Sequence, residues 1–94
     1  MVKIIGYTIE STSPDGVYYL VNGWYKYFAF WIGKKDVNEN KTRYLHKVTF
    51  KTIGSAKTSL KKLLKIMPDY NNDIFRLCEI RAGGNIEYIP VIKI

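Results

Sequence analysis

Few residues in this chain are of types that do chemistry, and their spacing argues against most of it. There is one histidine, His46, and one cysteine, Cys78, too few for a zinc cluster of Cys and His ligands. Asp69, Asn71 and Asp73 follow the alternate spacing that opens a calcium loop. The sixth position of that loop lacks glycine, however, and the twelfth, Ile80, lacks glutamate, so a polar turn after a helix is the simpler reading. His46 could act as a base only if Cys78 or a serine met it in space. It alternates with Tyr44, Val48 and Phe50 and reads as a partly buried, hydrogen-bonded histidine. No paired carboxylates bracket a cleft. Gly54-Ser55 lacks the glycine spacing of a phosphate loop, although a helix N-terminus there favours an anion. The expectation is a protein that is not an enzyme and takes no metal or cofactor.

What the chain has instead is unbalanced charge. Between Lys34 and Lys65 it carries ten basic residues, Lys34, Lys35, Lys41, Arg43, Lys47, Lys51, Lys57, Lys61, Lys62 and Lys65, against two acids, Asp36 and Glu39. The remainder holds five basic and six acidic residues, so the whole formal charge of +7 resides in this segment. Like charge crowded into one stretch opposes folding and attracts an anionic partner.

The chain must position these residues within one small domain, since it has 94 residues. Forty-seven percent hydrophobic content excludes a disordered chain. A lone cysteine precludes an intrachain disulfide, and a reducing cytoplasm is the expected compartment. The first residues lack a signal-peptide layout. The longest apolar stretch, Tyr27 to Ile32, is far short of the roughly 20 residues of a membrane span, so no membrane is expected.

The expected class is α+β: a single antiparallel sheet with one amphipathic helix, in the order ββββαββ over residues 1–94. Val2 to Ile9 reads as a strand, Ser13-Pro14-Asp15-Gly16 as a turn, and Val17 to Val21 as a second strand. Asn22-Gly23 reads as the turn of a hairpin. Trp24 to Ile32 follows as a strand apolar on both faces, which suggests a central position. Gly33 to Thr42 reads as a polar loop. Arg43 to Lys51 alternates like a strand, with Tyr44, His46, Val48 and Phe50 on one face and Arg43 and Lys47 on the other. Ala56, Leu60, Leu63, Leu64 and Met67 make the stripe of a helix over 53–67 that Pro68 ends. Ile74 to Arg81 and Ile86 to Ile94 form a last hairpin around Ala82-Gly83-Gly84-Asn85, with Pro90 marking an edge or a bulge.

Val17 to Leu64 resembles the three-stranded sheet plus helix of AP2-type and integrase amino-terminal (arm-binding) DNA-binding domains. The carrying residues are the Asn22-Gly23 hairpin, the aromatic strand Trp24 to Trp31, and the junction Phe50-Lys51-Thr52-Ile53-Gly54-Ser55-Ala56, with Thr52 capping the helix. The resemblance implies a sheet entering the major groove, with Arg43 and Lys47 as groove contacts. The second strand lacks the arginines of that family, and Ser55 stands where its acid is expected. The Lys/Tyr/Asn-rich texture is similar to small accessory proteins of bacteriophages and mobile elements.

Two partners satisfy this reading. One is nucleic acid, DNA before RNA, with Arg43, Lys47, Lys51, Lys57, Lys61, Lys62 and Lys65 on phosphates and Tyr25, Tyr27 and Trp31 stacking on bases. The other is an acidic protein or nucleoprotein surface, met by an antagonist of a host nuclease or defence complex. Both need the strand, helix and loop cations to converge; if the helix covers the Tyr44/Phe50 face, they divide into two patches.

Overall fold

The computed structural model describes residues 3–25, 28–66 and 74–94; for residues 23–25, 28, 29, 41 and 42 it describes the backbone alone. Five strands and three helices follow one another as β1 (Lys3–Ser13), β2 (Gly16–Tyr25), β3 (Phe28–Gly33), α1 (Lys34–Glu39), α2 (Lys41–Val48), α3 (Ile53–Ile66), β4 (Ile74–Ala82) and β5 (Ile86–Lys93). The class is α+β as expected, but the order is βββαααββ. The strands form one antiparallel sheet in the order β3-β2-β1-β4-β5.

Side chains alternate between two covered faces. Ile9, Leu20, Trp31, Phe75 and Leu77 meet α3 through Ala56, Leu60 and Leu63. Tyr19, Val21, Phe30, Ile32 and Ile80 meet Val37 of α1 and Val48 of α2. Helices on both sides explain why 24–32 reads as a central strand. Burial on both faces makes a strand apolar throughout, yet β3 lies at the sheet edge.

Three local expectations are corrected. Arg43 to Lys51 is not a strand: residues 41–48 are helical. Over so short a stretch both periods fit. The buried positions decide: Leu45 and Val48 fall on one helical stripe and pack into the second cluster, which a strand would have pointed to opposite faces. The polar loop expected over 33–42 is α1 and the first turn of α2. Asn22-Gly23 lies inside β2 rather than at a hairpin turn. The β2–β3 register shifts between Val21↔Phe30 and Tyr25↔Phe28, so the ladder absorbs two extra residues there.

Elsewhere sequence and structure coincide. The turn after Ser13 closes with Gly16 at φ 143°, a conformation that L side chains rarely adopt. Thr52 caps α3, its Oγ1 accepting the Ser55 N–H at 3.1 Å. Pro90 lies on an edge strand beside a register shift at Leu77/Cys78. The expected helix end at Met67 and Pro68, and the turn at Asp69 to Asp73, lie outside the described residues.

One feature organises the rest. β1 pairs with β2 only from Glu10↔Tyr19 to Ser13↔Gly16. Nearer its start, Tyr7 pairs instead with Phe50, through Tyr7 N–H to Phe50 O and Phe50 N–H to Tyr7 O, both 2.8 Å. Val48 belongs to one face cluster and Phe50 to the other. The chain therefore passes through the sheet at Thr49, between β1 and β2. The Thr8 hydroxyl donates to the Leu20 carbonyl at 3.3 Å across this opening.

Candidate functional site

The crossing at Thr49 distributes the basic block. Lys34 and Lys35 on α1, with Lys41, Arg43 and Lys47 on α2, belong to helices covering one side of the sheet; Lys57, Lys61, Lys62 and Lys65 on α3 belong to the other. Lys51 is exposed where the chain emerges between them. The block that is continuous in sequence is two sets of cations on opposite sides.

The two sets differ electrostatically. An open cleft of about 740 Å³ between the β1–β2 turn and α1 carries Lys34 and Lys35, but also Asp15, Asp36 and Glu39, so opposite charges offset there. On α2, Arg43 and Lys47 flank the Tyr44 ring, at 5.4 and 5.7 Å from its centroid. This is an i, i+4 pair of cations around a ring. Reading 43–51 as a strand hid it, though the spacing shows it once the segment is helical. α3 contains four lysines and no acid among its 14 residues. Lys61, Lys62 and Lys65 are exposed and Lys57 half-buried. Among the described residues the ion pairs are Arg76–Glu10 and Arg81–Glu79; the α3 lysines join neither.

The aromatic platform is not assembled as expected. Trp31 is half-buried against the α3 cluster and stacked on Phe75 at 5.8 Å, so one of its faces is taken by Phe75 rather than open to a base. Arg43 and Lys47 are on a helix, so they share no sheet face with it. The Tyr25 side chain and all of Tyr27 lie outside the described residues. His46 is exposed, not partly buried, because α2 turns Leu45 and Val48 inward instead. The three strands that the resemblance to AP2-type domains places at 17–21, 24–32 and 43–51 are two strands and a helix.

A buried polar cluster sits under α1 and α2. Glu10, 3% exposed on the central strand, accepts from Tyr19 Oη at 3.3 Å and from Arg76 Nε at 3.0 Å, with Arg76 Nη2 also in contact. Tyr19 stacks on Tyr88 at 4.5 Å. The Tyr88 hydroxyl is buried without a hydrogen-bond partner among the described residues. Burial, then the Glu10 charge, pushes the Tyr19 phenol up. Burial moves Tyr88 from 10.0 to about 12. Burial also moves the Cys78 thiol from 9.0 to about 12, with the Glu10 charge adding to it. Among the described residues no three His, Cys, Asp or Glu side chains come together as metal ligands. No helix there is long and apolar enough to cross a membrane.

These raised pKa values predict alkaline weakening. An acid with a raised folded pKa lends stability that is complete below its unfolded pKa and is lost as pH rises toward the folded one. For Cys78 that window runs from 9.0 to about 12, and for Tyr88 from 10.0 to about 12. Each pH unit inside a window costs about 1.4 kcal/mol per group. Urea midpoints should start to fall near pH 9, and Cys78→Ala should delay that onset by about one unit. A wild-type midpoint flat to pH 11 contradicts the assignment.

Comparison with known protein families, with curated proteins and with solved structures finds no match to this chain.

Proposed function

We propose that this protein binds nucleic acid, DNA before RNA, and that the outer face of α3 is its principal phosphate contact. The observation that carries the reading is the absence of neutralisation. α3 presents Lys61, Lys62 and Lys65 to solvent with no acid in the helix and, among the described residues, no ion pair to it. Arg76 and Arg81, outside the basic block, are each paired with a glutamate. Lysines one turn apart are spaced by about 6 Å along the axis, and their flexible stems can follow a phosphate backbone without reading bases. Lys51 extends this side, while Arg43, Tyr44 and Lys47 offer a separate ring-and-cation contact across the sheet.

The reading predicts sequence-tolerant, salt-sensitive binding. Fluorescence anisotropy against a duplex and a single strand, at several salt concentrations, gives the slope of log affinity against log salt. On duplex DNA each phosphate contact contributes about −0.9 to that slope. The Lys62→Ala/Lys65→Ala variant should flatten it by about 1.8 and weaken binding alike on unrelated sequences. No binding at low salt, or a slope unmoved by that variant, refutes the proposal.

A further inference from the structure

α3 and the end of β5 enclose a groove of about 290 Å³. Its floor is apolar, with Leu64, Ile92 and Ile94, and its helix wall is basic, with Lys57 and Lys61. No acid lines it. Ile92 and Ile94 are 43% and 49% exposed, and Val91 beside them is exposed as well. Apolar surface left open beside a wall of like charge is a pattern of docking sites rather than of a solvated helix face.

We infer that this groove docks an acidic, amphipathic segment of a protein partner, a contact additional to the phosphate face. Charge complementarity selects the occupant. Apolar side chains entering between Leu64, Ile92 and Ile94 would bring flanking Asp or Glu within reach of Lys57 and Lys61. A second copy of this chain fits poorly face to face, because two such grooves brought together would set Lys57 and Lys61 against their own copies. A flat lipid surface does not fill a concave floor between a helix and a strand. Docking of an apolar face flanked by charge into such a groove is a recurrent mode of peptide recognition. Because Lys61 also belongs to the phosphate face, a docked segment should weaken nucleic-acid binding.

The test is a fluorescent synthetic peptide with two leucines one helical turn apart and glutamates on both flanks. It is titrated into the full chain by anisotropy. Binding is expected, with a loss of at least about tenfold for the Ile92→Ser/Ile94→Ser variant and for a peptide with glutamine in place of each glutamate. The replaced isoleucines are exposed, and a circular dichroism melt checks that the variant folds. Lys62→Ala/Lys65→Ala should leave peptide affinity within about twofold while flattening the salt slope on DNA, which separates the two sites. The inference is overturned by no peptide binding up to about 1 mM, or by peptide binding that the isoleucine variant leaves intact. It is also overturned if phosphatidylserine vesicles, and not the peptide, bind in an isoleucine-dependent way, or if sedimentation shows a dimer that the isoleucine variant dissociates.

Discussion

Gly6→Ala should destabilise the protein by roughly 3 kcal/mol or more, at or above the upper end of ordinary overpacking. A Cβ at Gly6 would lie 2.3 Å from Thr49 Cγ2 and 2.8 Å from the Phe50 carbonyl oxygen. The first contact is a side-chain end and could rotate away. The second is backbone, held by paired 2.8 Å hydrogen bonds to Tyr7, one residue from the intruding methyl. Relief therefore requires moving the segment that takes the chain from one face of the sheet to the other. That segment carries Val48 into one cluster and Phe50 into the other, so both cores feel the shift. Adding Thr49→Ser to Gly6→Ala should restore less than half of the loss, because the hydroxymethyl group removes Cγ2 and leaves the carbonyl. Urea unfolding of the two variants, with hydrogen exchange at the Tyr7 and Phe50 amides, measures both effects. An alanine variant as stable as the parent would contradict the close crossing at this point.

Gly6 shows why part of the fold was hidden in the sequence. Nothing local to Lys3–Ser13 announces that a remote segment will lie against Gly6. The signals that were legible are those whose cause is local. Ser13-Pro14-Asp15-Gly16 turns because Pro and Gly preset its backbone. Thr52 caps because its hydroxyl reaches an amide three residues on. The stripe Ala56, Leu60, Leu63 buries because helical period puts those positions on one side.

The misreadings share one origin. Arg43 to Lys51 alternates well enough to be a strand, and only the sheet's second covered face makes a helix there the better use of Leu45 and Val48. The same second layer makes an edge strand look central. Consequences for the site follow directly. The lysines of α3 were visible as a face from sequence, since they depend on one helix. The flanking of Tyr44 by Arg43 and Lys47 needs only the helix that packing selects there, whereas the meeting of Ile92 and Ile94 with Leu64 depends on tertiary placement. Ile92 is 28 residues beyond Leu64, and no periodicity links the two.

Arg76→Ala is expected to cost about 2 kcal/mol, within the range for leaving a buried polar group short of a partner, because the Arg76 side chain is 44% exposed while the Glu10 side chain is 4% exposed. The loss comes from what remains: a carboxylate on the central strand under α1 and α2, keeping only the Tyr19 hydroxyl among its present partners. Its hydrogen bond to Glu10 is also the leading cause of the upward shift of the Arg76 guanidinium, so the cation is held in its charged form. Arg76→Lys should recover only part of the stability, since a single ammonium cannot reproduce the planar fork that meets a carboxylate with two N–H groups. Glu10→Gln in the Arg76→Ala background should restore more, because an amide without a partner is less costly to bury than a charge. Urea unfolding of the two single variants and the double variant closes the cycle, and simple additivity would reject the pair as a coupled unit. The same variants separate structural from binding charge. Arg76 is already satisfied by Glu10, so its loss should leave the salt slope of DNA binding unchanged, whereas removing two unpaired lysines of α3 should flatten it. Equal effects on that slope would mean that net charge, rather than the α3 face, governs binding.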